Sequence, residues 1–332
     1  MAATMADVAR LAGVSKKTVS NFFNGYPYMT PATRERIESA IASLNYKINI
    51  SARNLSSGRT GTIALAVPEI AHPYFAELAD AVVVAAREHG LNVVVEVTRG
   101  DRDQELALLR GDAGRYVDGL LIHVLSLEAT ELESATLDVP VVLIGDRVAG
   151  GRFDFVTVAN AEGAYEMTRL LLARGRRRIV ALGMERSDVP TAAALRYQGY
   201  LRAHEEVGVP VDQDLLVGPV PWNRVSGAQV IDRLLERGAV FDAVFGLNDA
   251  LALGALGALQ RHGVQVPDDV AVAGFDDVQE AALAHPPLTT VNSGRDWIAR
   301  TAVRRLAERL ADDSLPPQVL TARHDLIDRC SV

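Results

Sequence analysis

Between Thr62 and Phe275, short runs of branched apolar residues alternate with stretches of helical length. That alternation fits parallel sheets covered by helices on both faces and little else. The apolar runs are 62–67, 92–97, 119–124 and 140–145, then 178–183, 215–217, 243–248 and 270–275. Helices are expected near 73–89, 101–115 and 128–134, and again near 161–174, 191–207, 224–237 and 249–262. Eight strands exceed one ordinary doubly wound sheet, so the series reads as two similar subdomains. The first is nearly complete before residues 154–160.

The first 46 residues follow another pattern. Met5, Val8, Ala9 and Ala12 recur at three- and four-residue steps, giving a helix one apolar face. Gly13 suits the left-handed turn that ends such a helix, and Ser15 is placed to cap the next one. Val19, Phe22 and Phe23 form a second stripe that leaves Lys16, Lys17, Thr18, Ser20 and Asn21 on the opposite side. Asn24-Gly25 ends that helix, and Thr30-Pro31 begins a third. Ile37, Ala40, Ile41 and Leu44 close a three-helix core. Two helices about a tight turn make a helix-turn-helix, whose second member can lie in a DNA major groove.

Charge placement supports that assignment. Residues 1–60 carry eight Lys or Arg against three acids, whereas the remainder carries 26 against 39. All three lysines, at 16, 17 and 47, lie in the basic head. A cationic head on an anionic body suits a head that meets a polyanion. Residues 47–60 are polar and end in Ser-Ser-Gly. Ile50, Ala52 and Leu55 mark at most two helical turns, a segment able to order on contact with DNA.

At 332 residues, 48% hydrophobic and 23% charged, the chain has the composition of an ordinary globular protein. Its single cysteine, Cys330, allows no intramolecular disulfide, which favours a reducing compartment. Asp7 and Arg10 interrupt the first apolar stretch, so it does not read as a signal peptide. No uncharged apolar window is long enough to span a membrane. The expected location is the cytoplasm.

In open parallel sheets ligands gather at the carboxyl ends of the strands. There the chain places His72-Pro73-Tyr74-Phe75, Asp146-Arg147, Asn248-Asp249 and Asp276-Asp277, with Arg196 at a helix start and Trp222 in a loop. Carboxylates, an amide, a guanidinium and an indole suit a neutral polyhydroxyl ligand. Each residue also has a plain structural role open to it, such as helix capping by Asp249 or Asp277. Enzyme motifs are missing: there is no G-x-x-x-x-G-K-[ST], no G-x-S-x-G and no H-E-x-x-H. The seven histidines lack metal-ligand spacing, so no metal, no cofactor and no catalytic residue is expected.

These residues resemble the lactose-repressor (LacI/GalR) family of bacterial transcription regulators along essentially the whole chain. The markers are Asp7-Val-Ala-Arg-Leu-Ala-Gly-Val-Ser, Thr18-Val-Ser, Asn24-Gly25, Ala52-Arg53-Asn54-Leu55, Gly61-Thr62-Ile63, Pro73-Tyr74-Phe75 and Glu162-Gly163-Ala164. Asn248-Asp249, Pro267-Asp268-Asp269-Val270, Gly274-Phe275-Asp276-Asp277 and Pro287-Leu288-Thr289-Thr290-Val291 complete the set. The resemblance implies an all-α helix-turn-helix head at 1–46, a hinge at 47–60 and a periplasmic-binding-protein-like α/β body at 61–332. Its two Rossmann-like subdomains would comprise about 61–159 with 292–320, and about 160–289 with 321–332.

It further implies a homodimer on a pseudo-palindromic operator in duplex DNA, acting as a repressor under a small-molecule effector, most simply a carbohydrate. DNA contacts would come from Thr4, Ser15, Lys16, Lys17, Thr18, Asn21, Asn24, Thr30, Arg34, Ser51, Ala52 and Leu55. Leu55 matches the leucine that wedges into the minor groove. Effector contacts would come from Tyr74, Phe75, Asp146, Asn160, Arg196, Trp222, Asn248 and Asp276. Three departures stand out: Asn21 where arginine is usual, Ile48 where proline is usual, and Ala159 where aspartate is usual. The chain carries no leucine heptad after Asp325, which favours a dimer over a tetramer joined by a helical tail. A nucleoside- or purine-responsive regulator and a stand-alone sugar-binding protein are the competing readings.

Overall fold

The computed structural model describes residues 3–23, 26–46, 59–110, 116–135, 139–146 and 151–332. The expected DNA contacts Asn24, Ser51, Ala52 and Leu55 lie outside the described residues. The chain divides into two compact units, Met1–Thr60 and Gly61–Val332.

The head holds three helices: α1 (Met5–Ala12), α2 (Lys16–Phe23) and α3 (Pro31–Ser43). Thr4 caps α1 reciprocally, its Oγ1 accepting from Asp7 N at 3.3 Å while Thr4 N donates to Asp7 Oδ2 at 3.0 Å. Gly13 ends α1 at φ 65°, a conformation that side chains with a Cβ rarely adopt. Val8, Ala9, Ala12, Val19, Ile37 and Ala40 form the core, with Met5, Phe22, Phe23, Ile41 and Leu44 packed around it.

The body begins with β1 (Thr62–Val67), α4 (Pro73–Glu88), β2 (Asn92–Val97), α5 (Arg102–Leu109), β3 (Gly119–His123), α6 (Ala129–Ser134), β4 (Val141–Ile144) and β5 (Asp154–Val158). It continues through α7 (Asn160–Ala173), β6 (Ile179–Leu182), α8 (Ala192–Val207), β7 (Leu216–Val217), α9 (Arg224–Glu236), β8 (Ala243–Gly246), α10 (Asp249–Arg261), β9 (Ala271–Ala273) and α11 (Gln279–Leu283). Last come β10 (Thr290–Asn292), α12 (Arg295–Ala311), β11 (Val319–Ala322) and β12 (Asp325–Ile327).

Two parallel sheets result, one ordered β11-β5-β4-β3-β1-β2 and the other β7-β6-β8-β9, with β10 and β12 paired antiparallel. Alternate residues of the first sheet enter different cores, as burial on both faces requires. Ile63, Leu65, Leu121, Val142 and Ile144 face one, while Ala64, Ala66, Leu120, Ile122 and Leu143 face the other with Leu106 and Leu109. Each fully buried Leu or Ile contributes ~1.5–3 kcal/mol relative to exposure.

The chain changes lobe three times: after β5, between β10 and α12, and between β11 and β12. The final change falls at Arg323–His324 rather than at 320/321, because β11 pairs with β5 through Ala322 and Val158. Residues 154–160, read above as a boundary, contain a full strand, and the strand-end rule thereby extends to Asn160 at the head of α7. In the second lobe α9 and α10 cross at glycines. A Cβ on Gly227 would stand 2.3 Å from Leu251 O, and one on Gly254 would stand 2.1 Å from Arg224 O.

Candidate functional sites

The carboxyl ends of β1 and β3 in one lobe and the starts of α8 and the post-β9 turn in the other enclose a cavity of about 860 Å³. Tyr74, Phe75, Asp146, Arg196, Trp222 and Asp276 line it. Asn160 and Asn248 stand behind the wall, 2% and 0% exposed.

Arg196 lies at the centre of the polar wall. Its Nε donates to Asn160 Oδ1 at 2.7 Å, its Nη2 to Asp276 Oδ1 at 3.2 Å and its Nη1 to Leu247 O. The guanidinium also sits 3.6 Å from the Phe275 ring centroid and 5.3 Å from that of Trp222. Asn160 turns its amide nitrogen to Asp146, which also accepts from Thr157 Oγ1 at 3.2 Å. The indole of Trp222 is fixed by Nε1 donating to Gly183 O at 2.9 Å. Asn248 caps α10 through Oδ1, which accepts from Leu251 N at 2.9 Å, so its Nδ2 is the group left to face His72 Nε2 at 2.8 Å. That contact joins the two lobes.

Burial decides the charge state of this wall. Desolvation pushes the Asp276 carboxyl up to about 6 even though Arg196 and Arg295 pull the other way. Burial likewise raises Asp146, against the opposing pull of Arg196, and raises the Tyr74 phenol. Asp249, beneath the wall, is raised well above the ordinary carboxylate range by burial and by Asp276.

Of the two histidines at the cavity, His72 was named at a strand end without being chosen as an effector contact and His123 was missed, because a lone histidine carries no spacing signal. His72 and His123 both line it, and both pack on Phe75 with ring centroids 5.3 and 4.9 Å away. Burial lowers both, His123 to about 4, so both imidazoles are neutral at neutral pH. Glu69, Arg99, Glu185 and Thr191 also line the cavity and were likewise missed. Counted together, the wall bears Glu69, Asp146, Glu185 and Asp276 against Arg99 and Arg196, a balance unfavourable to an anionic ligand. Among the described residues, no group of three or more His, Cys, Asp or Glu is placed to hold a metal ion.

In the head, Lys16 and Lys17 are exposed in the first turn of α2, while Thr18 and Asn21 are half-buried. Ser15 Oγ accepts from Thr18 N at 3.0 Å and lies 2.8 Å from Thr18 Oγ1, so both hydroxyls shape the start of α2. Thr30 caps α3 through Thr33 N at 3.3 Å, and Arg34 lies 5.3 Å from the Phe22 ring centroid. Thr4, Ser15 and Thr30 are therefore exposed caps, and the two lysines are the long cations projecting from the second helix.

Comparison with known proteins follows the same division. A model of bacterial regulatory proteins of the lacI family matches residues 4–49, and one of a periplasmic binding protein-like domain matches residues 168–332. The transcriptional regulator CelR of Thermobifida fusca is 36% identical over 339 residues, covering 98% of this chain and 97% of its own. A solved complex of a regulator CelR with cellobiose has a TM-score of 0.71 at 33% identity, covering 99% of this chain and 100% of its own. The lac repressor dimer, solved on operator with an anti-inducer, has a TM-score of 0.83 at 26% identity over 100% of this chain and 99% of its own.

Proposed function

This chain belongs to the lacI family of bacterial regulatory proteins and is a DNA-binding transcriptional regulator, and we propose that a sugar held between the lobes of its body governs the grip of its head on operator DNA. The observation that carries the sugar assignment is the wall around Arg196: hydrogen-bonding groups of both kinds, an indole face, and a net acidic balance in a cavity of about 860 Å³. Ring C–H faces stack on Trp222 while hydroxyls exchange hydrogen bonds with Arg196, Asp276 and Asp146. The cellobiose complex of the similar regulator CelR supports the same ligand class.

The head reads DNA through α2. Lys16 and Lys17 donate to guanine edges, and Ser15, Thr18, Asn21, Asn24, Thr4, Thr30 and Arg34 position the backbone. Ser51, Ala52 and Leu55 act in the hinge, with Leu55 as the minor-groove wedge. The protein works as a cytoplasmic homodimeric repressor on a pseudo-palindromic site; the lac repressor, similar along its whole length, was solved as a dimer on its operator. No helix among the described residues is long and apolar enough to cross a membrane. Its work is regulatory and not catalytic. The sugar acts by preferring one arrangement of the lobes, 61–159 with 292–322 against 160–289 with 324–332, and operator affinity follows by linkage.

Gel retardation on the DNA upstream of the chain's own gene tests this, with and without a panel of neutral mono- and disaccharides. Arg196→Ala is expected to bind that DNA and to ignore every sugar to which the wild type responds. A retained response would place the effector elsewhere.

A further inference from the structure

Helix α11 starts without a capping side chain of its own, because Val278 occupies the N-cap. Two carboxylates from other elements serve instead. Asp249 Oδ2, at the head of α10 in the same lobe, accepts from Val278 N at 2.9 Å. Glu77 Oε1, on α4 in the opposite lobe, accepts from Gln279 N at 2.9 Å. One of the two acceptors at this helix start is thus lent across the cleft.

Glu77 is held in place for that task. Its Oε2 lies 2.6 Å from Arg295 Nη2, and the two side chains are only 18% and 16% exposed. Arg295 opens α12, the helix that returns to the first lobe, and its Nη1 donates to Asp276 O at 3.3 Å. Glu77 follows Tyr74 and Phe75 on the same helix, so one rigid element carries both a cavity wall and the cap. On the other side, α11 follows Asp276 and Asp277, whose φ angles of 115° and 54° lie in the left-handed region. Non-glycine residues stay there only where their surroundings hold them. Asp277 is held by Asn292 Nδ2 at 2.9 Å, at the end of β10, and by Arg329 Nη2 at 2.7 Å, just beyond β12.

We propose that Glu77 couples the cavity to the arrangement of the lobes, through a capping bond to Gln279 N that only the present arrangement can make. A ligand that engages Asp276 bears on the strained 276–277 turn, and so on the start of α11 and on this bond. The coupling role rests on the effector reading above. The capping bond contributes to the balance between lobe arrangements whether or not a ligand is bound.

Two substitutions remove the bond from opposite sides. Gln279→Pro deletes only the donor: Val278, at φ −70° and ψ 155°, already has the backbone that a residue before proline requires, and proline suits the first helical position. Glu77→Ala deletes the acceptor. The full-length variants are compared with wild type for effector-free affinity toward a duplex that the wild type selects from a random library. Hydrogen exchange over residues 276–284 is followed alongside. Each single substitution is expected to move operator affinity about tenfold in one common direction, the double variant no further, with faster exchange over 276–284 in Glu77→Ala. Affinities within twofold of wild type, or single effects that multiply in the double variant, overturn the proposal. If the wild type ignores every sugar, the effector reading falls by itself, because this comparison uses no sugar.

Discussion

Arg196→Met replaces a buried cation by an apolar chain of similar length, and the surroundings set what that costs. Arg196 and Asp276 are each 6% exposed at the side chain, and the arginine also serves Asn160 Oδ1 and Leu247 O. Removing one member of such a pair leaves a buried charge uncompensated, at about 3–5 kcal/mol. Protonation offers Asp276 an escape. Its carboxyl stands at about 6 with Arg196 beside it and rises further without it. The deficit is therefore smaller at pH 5, where the lone carboxyl is neutral, and larger at pH 8. Adding Asp276→Asn removes the stranded charge and should restore at least ~2 kcal/mol at pH 8 without restoring ligand response. The assay is urea unfolding by tryptophan fluorescence. Trp222 and Trp297 both belong to the body, so the signal reports that unit alone. A single variant within ~1 kcal/mol of wild type at pH 8, or a double variant no more stable than the single, would refute the claim that this pair is desolvated and mutually dependent.

Lys16→Ala and Lys17→Ala should each weaken operator binding by ~1–3 kcal/mol if the lysine meets a guanine, with a smaller loss on random DNA; equal losses on both would assign the lysine to phosphate. Gly227→Ala should destabilise the body by ~1–3 kcal/mol despite alanine's better helix propensity, since the new Cβ falls 2.3 Å from Leu251 O; urea midpoints equal to wild type would contradict that close crossing. In wild type, Asp276 titrates in the folded state at about 6 against the ordinary 3.8, so the native state holds the extra proton between those values. Its contribution is full below pH ~4 and is lost as pH rises through about 6, a fall of about 3 kcal/mol that Asp276→Asn should flatten in pH-resolved unfolding curves.

Much of this architecture can be read from the chain because its local and global patterns agree. Branched runs such as Thr62–Val67 and Asn92–Val97 stand where strands form, and Gly13 and Thr30 mark helix ends that the backbone confirms. Helix α12 was not legible. Arg305 and Arg309 interrupt its apolar face and look like solvated positions, yet both are buried on Asp154, with N–O distances of 2.8 and 2.5 Å. That ion cluster pairs residues about 150 apart in sequence, which no periodicity reveals. Strands β10, β11 and β12 escaped for a simpler reason, being three or four residues long. Within the cavity, the strand-end rule brought Arg196, Trp222 and Asp276 together, but it also brought Asn248, and the family resemblance brought Asn160, two residues whose amides are spent on the wall itself. His72 was named but not chosen, and His123 was missed, because the two join only when β1 and β3 lie side by side. The Glu77–Gln279 bond spans 202 residues and has no local trace.

The most direct measurement is the affinity of the intact chain for its operator, titrated with each sugar that raises the melting temperature of the body. A sugar that binds at the Arg196 wall should change that affinity at least fivefold, the low end of ordinary coupling between two sites. A sugar that demonstrably occupies the cavity while operator affinity stays constant would contradict the account at its root.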